Sequence, residues 1–120
     1  MKTKDRLEAT VHGYLAIDCD RMSVCAEEAL CCADAGEASA VQVHLDELAS
    51  LALRHVRIGE NLLAPGVARA LRVDHRRLTQ LVSEVQLTLD GADLRGVAKL
   101  LRRALRLLQA HEAHERRFVS

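Results

Sequence analysis

The chain reads as an all-α protein: an up-down-up-down four-helix bundle built from two similar helical hairpins, one domain over residues 1–120. Three features predict this. Strong helix breaks fall at Gly36, at Pro65 with Gly66, and at Gly91 after Asp90. The four segments they separate, each about 25 residues and so about 37 Å of helix, all carry an apolar stripe at helical spacing. The two halves also align without a gap at a shift of 56 residues.

In the first segment, Leu15, Cys19, Met22, Ala26 and Leu30 share a face. In the second, Val41, Leu48, Ala52, His55 and Leu62 do so. The third presents Leu71, His75, Leu78, Val82 and Leu89, and the fourth Val97, Leu101, Ala104, Leu108, His111 and Glu115. The repeat superimposes Leu15 on Leu71, Asp18 on Asp74, Arg21 on Arg77 and Glu28 on Glu84. It continues through Asp34 on Asp90, Val41 on Val97, Leu45 on Leu101, Leu51 on Leu107 and His55 on His111. Aromatic residues make up only 2%, Tyr14 and Phe118 with no Trp, so Leu, Ala and Val must build the core, a mix that suits helices.

Composition narrows the function classes. Formal net charge is zero, which argues against a nucleic-acid binder. Residues 1–60 hold 6 Lys+Arg and 11 Asp+Glu, giving −5, and residues 61–120 hold 11 and 6, giving +5. This asymmetry reads first as two solvated faces of different sign, and as a route to a homodimer second. No apolar run approaches transmembrane length, so no membrane association is expected. The N-terminal run from Met1 to Arg6 has no apolar h-region, and a cytoplasmic location is expected. The cysteines, at 19, 25, 31 and 32, are then expected to be reduced.

The repeat organises the polar residues on the core stripes. His75 and His111 lie 36 residues apart, as do their counterparts Cys19 and His55. Hairpins of equal length bring all four to one level of the bundle. Glu115 stands one turn beyond His111 on the same face, and its counterpart is Gly59. A buried imidazole needs two hydrogen-bond partners, and a buried carboxylate needs an opposing charge. Three His, a Glu and a Cys at one level of an apolar core are costly unless a divalent metal compensates them, and all three groups are good metal ligands. Cys19, His55, His75, His111 and Glu115 are therefore the candidate metal ligands. Gly59, lacking a side chain beside them, is the candidate for room to admit an exogenous ligand.

The other polar residues read more simply. His12 and His44 lie too far from the constellation, and His114 points away from His111. Asp18 and Asp74 each precede a candidate ligand and can orient one. Cys25 and Cys32 read as small buried hydrophobes, with a redox role for the adjacent Cys31 and Cys32 as the lesser reading. Glu60 is about 100° out of phase with the missing carboxylate at Gly59.

With these residues placed, the sequence resembles the hemerythrin-like, or HHE cation-binding, family over nearly its whole length. The segment HVRIGENLLAP, His55 to Pro65, follows that family's second-helix pattern of His, carboxylates, an apolar pair and Pro. DHRRL, Asp74 to Leu78, looks like its third-helix signature, and HEAHE, His111 to Glu115, like its fourth. The resemblance implies a non-heme di-iron centre between four helices, each giving a His, with two Glu bridging. Two positions depart from it: the first-helix His falls at Cys19 and the second-helix Glu at Gly59. Both belong to one half-site, leaving His75, His111 and Glu115 as the intact two-His, one-carboxylate half.

Three metal arrangements stay open at this point: an asymmetric di-iron centre, a mononuclear iron site at the intact half, and a closed zinc site of Cys19, His55, His75 and His111. Three functions follow. One is binding of O₂, NO or a similar small ligand at iron for sensing or storage. Another is iron-dependent O₂ activation on a small organic substrate, where Cys19 thiolate lowers the iron potential. The third is a helical interaction module whose zinc is structural or whose metal is lost.

Overall fold

The structure is a computed structural model describing residues 3–118; Met1 and Lys2 of the N-terminal run lie outside the described residues. Its elements are α1 (Thr3–Asp34), α2 (Ala38–Leu62), α3 (Pro65–Asp90) and α4 (Leu94–Arg116), with no strand among the described residues. Each helix packs on its sequence neighbour, and α4 closes back on α1. This is the four-helix bundle the breaks predict, about 51 Å long and about 20 Å across. Among the described residues, no helix is long and apolar enough to cross a membrane.

Helix ends follow local chemistry. Pro65 opens α3, where its missing N–H is not needed. Asp93 caps α4, its carboxylate accepting from the Gly96 N–H at 3.0 Å. Helix α1 ends in a turn with Gly36 left-handed at φ 76°, the Glu37 N–H bonding the Cys32 carbonyl at 2.9 Å. Helix α3 ends the same way, with the Asp93 N–H bonding the Thr88 carbonyl at 3.2 Å. The left-handed residue there is Ala92, at φ 58°, and not the neighbouring Gly91 at φ −82°. Ala92 is the repeat counterpart of Gly36, so the hairpin geometry is kept even where the glycine is not, against roughly 1–2 kcal/mol of steric strain.

The stripes pack inward with three adjustments. Leu62 is exposed, because α2 ends there and Leu63 turns inward instead. Leu30 and Val82 are only partly buried, and Ala29, Ala33 and Val85 take the central positions. Cys25 is buried, Cys32 half-buried and Cys31 exposed, and all four cysteines are free.

The core is not continuous. One large apolar cluster contains Met22, Leu48, Leu78, Leu101 and Leu108. A smaller one holds Val11, Leu15, Leu63, Ala68 and Leu71. Between them lies a layer of buried polar side chains.

Candidate metal centre

Three helices supply the centre of this layer. Cys19 comes from α1, His55 from α2, and His111 with Glu115 from successive turns of α4. All four are at most 4% exposed, and one ligand atom from each lies within 4.8 Å of every other. The Nε2 of His55 is 3.0 Å from His111 Nε2, 2.8 Å from Glu115 Oε1 and 3.8 Å from Cys19 Sγ. The His111 Nε2 is 2.5 Å from the same Glu115 oxygen.

Hydrogen bonds alone satisfy this set poorly. A ring nitrogen carries one proton or one lone pair, yet His55 Nε2 faces three groups at once. Ligands about 2.1 Å from a shared ion stand about 3.0 Å apart when cis in an octahedron and about 3.4 Å apart in a tetrahedron. The observed spacings bracket those values, so this buried Cys, two His and Glu can hold one metal ion.

Electrostatics agree with a cation at this point. Burial opposes ionisation of Glu115, but its bonds to His111 and His55 outweigh burial and hold its pKa down at about 2. Burial likewise disfavours charge on His111, and its bonds to Glu115 and Asp74 overcome this and raise its pKa. Burial, and then the Glu115 charge, push the Cys19 thiol well above its ordinary range, so Cys19 needs a cation beside it to ionise.

The surrounding groups orient the ligands unequally. Asp74 accepts at 3.0 Å from Nδ1 of both His111 and His114. That fixes the His111 tautomer, directs Nε2 to the centre and ties His114 in as an outer partner. Burial alone would raise Asp74, but these two contacts lower its pKa. Its counterpart Asp18 is fully buried but pairs instead with Arg54, Nη2 to Oδ1 at 3.0 Å. The contact is a charge pair without aligned hydrogen-bond geometry, and His55 Nδ1 is left without a partner. Sequence reasoning overlooked Arg54. The signal was available, since Asp18 and Arg54 are separated by the same 36 residues as Cys19 and His55, while Asp74 meets Ala110 at that spacing.

His75 and Gly59 differ from their expected roles. His75 sits edge-on to the other imidazoles, its ring centroid 5.3 Å from that of His55 and 4.9 Å from that of His111. Its nitrogens fall outside the four-residue set, and both are buried without a partner. Burial, and then the neighbouring imidazoles, lower its pKa to about 4, so it is neutral at physiological pH. The compact set therefore draws on both repeat halves and not on His75, His111 and Glu115 alone. Gly59 is buried, and the room it leaves is not open: a Cβ there would lie 2.7 Å from His75 Cε1. The imidazole has moved into the missing side chain's place. Glu60 is turned outward and pairs with Arg72 at 3.3 Å, so it does not supply the absent carboxylate.

Gly59→Ala should therefore destabilise the protein despite the better helix propensity of alanine. Displacing the ring costs about 1–3 kcal/mol, against a gain of about 1 kcal/mol. Thermal melts of the variant would check this, and a raised Tm would show that His75 moves freely.

No protein-family model, curated protein or solved structure matches the chain.

Proposed function

We propose that this is a hemerythrin-like, non-heme iron protein that holds one iron and binds O₂, NO or a similar small ligand for sensing or storage. The observation that carries the reading is the convergence of His55 Nε2, His111 Nε2 and Glu115 Oε1 within 3.0 Å of one another. Two His and one carboxylate is a donor set suited to Fe(II). One ion is favoured over two because, among the described residues, Glu115 is the one carboxylate in the cluster.

Iron held there supplies the redox chemistry that O₂ and NO binding require. The chain's own residues do the rest. Glu115 and an ionised Cys19 offset the ion's charge. Asp74 holds His111 in register, and the two apolar clusters keep bulk water from the layer. A structural zinc is the second reading, favoured by four buried donors, which can close a tetrahedral site.

Metal analysis with an optical spectrum of the purified protein separates the two. The expected result is about one iron per chain with visible charge-transfer bands. About one zinc and a colourless protein would establish the structural reading. No metal after anaerobic expression with iron would remove both. Cys19→Ser is expected to shift the iron spectrum while Cys25→Ser, in the same helix but outside the cluster, leaves it unchanged. Identical spectra in both would take Cys19 out of the ligand set.

A further inference from the structure

Each half of the bundle sets an aspartate behind a histidine of the metal centre. Asp74 of α3 stands behind His111 of α4, and the repeat places Asp18 of α1 and His55 of α2 at the equivalent positions. Only one of the two pairs closes. Asp74 Oδ2 accepts from His111 Nδ1 at 3.0 Å. In the other half Asp18 is fully buried, yet neither of its oxygens takes part in an aligned hydrogen bond among the described residues. His55 Nδ1 is also buried without a partner among them. Two buried polar groups therefore stay unmatched at positions whose counterparts bond each other.

Arg54 is the difference between the halves. Its side chain is half exposed and reaches inward to put Nη2 3.0 Å from Asp18 Oδ1. A buried carboxylate needs a cation beside it, and a guanidinium satisfies that need better than the N–H of a neutral ring does. Asp18 is therefore drawn to Arg54, and His55 goes without an acceptor. The residue equivalent to Arg54 is Ala110, whose methyl group cannot compete, so Asp74 is left to His111 and His114. The consequence falls on the metal. A histidine that binds an ion through Nε2 keeps its ring proton on Nδ1. An acceptor for that proton fixes the ring and makes Nε2 a stronger donor. His111 has this support and His55 lacks it.

We propose that Arg54 is a positioning residue of the metal centre: by holding Asp18 away from His55 it leaves the α2 ligand weakly anchored, so the ion is held firmly from α4 and loosely from α2. Arg54 thereby sets the metal affinity below what the same ligands allow. Its role rests on the metal reading above, though not on the identity of the ion.

The test is titration of the metal-free full chain with cobalt(II) in competition with a chromophoric chelator. Arg54→Ala should bind cobalt about tenfold or more tightly than the wild type, because Asp18 is released to His55. Losing a positive charge near the ion tightens binding by itself, but that gain does not depend on Asp18. The decisive comparison is therefore Asp18→Asn, which should cost less than about tenfold beside Arg54 and about tenfold or more in the Arg54→Ala background. The repeat supplies the converse. Ala110→Arg, at an exposed position, puts an arginine behind Asp74 and should weaken cobalt binding by about tenfold or more. Ala113→Arg adds the same charge at another exposed position of α4 and should stay within about twofold of the wild type. In zinc-loaded Arg54→Ala the His55 Nδ1 proton should appear in NMR spectra as a hydrogen-bonded proton, a signature that a purely structural arginine would not give. An Asp18→Asn effect of equal size with and without Arg54 overturns the proposal. So does an Ala110→Arg variant that binds cobalt as Ala113→Arg does. If Arg54→Ala does not fold, the comparison of Ala110→Arg with Ala113→Arg decides alone. A wild type that takes up no cobalt removes the metal reading and this role together, whereas uptake that no variant changes removes this role alone.

Discussion

Replacing Glu115 with alanine should lower the protein's metal affinity by well over about a hundredfold, since loss of an outer-shell partner alone costs about 10- to 100-fold. Among the described residues, Glu115 is the one carboxylate that touches both imidazole nitrogens, and its low pKa keeps it anionic throughout the working range. A graded series gives the prediction its force. Asp74→Asn removes no ligand but weakens the hold on His111 Nδ1, and should cost about 10- to 100-fold. Asp18→Asn should cost less, because Asp18 faces Arg54 and not His55. Competition with a chromophoric chelator under anaerobic conditions measures all three. Glu115→Ala at near wild-type affinity would dissolve the proposed centre. An Asp18 effect equal to that of Asp74 would mean that metal recruits Asp18 to the unpartnered Nδ1 of His55.

The second large effect is acid lability of the metal-free protein. His75 is neutral and buried, with a folded-state pKa of about 4 against an ordinary value of 6.5. The unfolded chain therefore binds a proton that the folded chain refuses between those values. His75's contribution is complete above pH 6.5 and is lost on acidification to about pH 4, on the order of 3 kcal/mol. Glu115 adds a second window. Its pKa falls from 4.5 to about 2 on folding, so its stabilisation holds above pH 4.5 and disappears as pH drops through about 2. His111 acts in the opposite sense, because its raised pKa contributes stability at low pH that fades as pH rises through the folded-state value. His75→Leu isolates the contribution that is lost between pH 6.5 and about 4. Urea unfolding of chelator-treated protein from pH 8 to 4 should show a steep acid limb in the wild type and a flatter one in the variant. Parallel limbs would mean that His75 reaches water or a partner in solution.

Much of this molecule is legible in its residues. Pro65, Gly36 and the Asp90–Gly91 pair mark the helix ends, because backbone freedom and the missing proline N–H are local properties. The inward faces follow from periodicity. The shared 36-residue spacing of Cys19 with His55 and His75 with His111 sets the polar residues at one level, because paired helices rise at the same rate. What periodicity cannot supply is side-chain direction across the few ångströms between helices. Cys19, His55, His111 and Glu115 converge while His75 turns aside, since Gly59 leaves a space of the size its ring fills. Arg54 claims Asp18, where the equivalent Ala110 leaves Asp74 free to hold His111. The order of residues is enough to specify the bundle, its repeat and the inventory of ligand-type side chains. Which of those side chains meet is settled by packing in three dimensions, because it rests on rotamers and on individual Cβ atoms present or absent at the helix contacts.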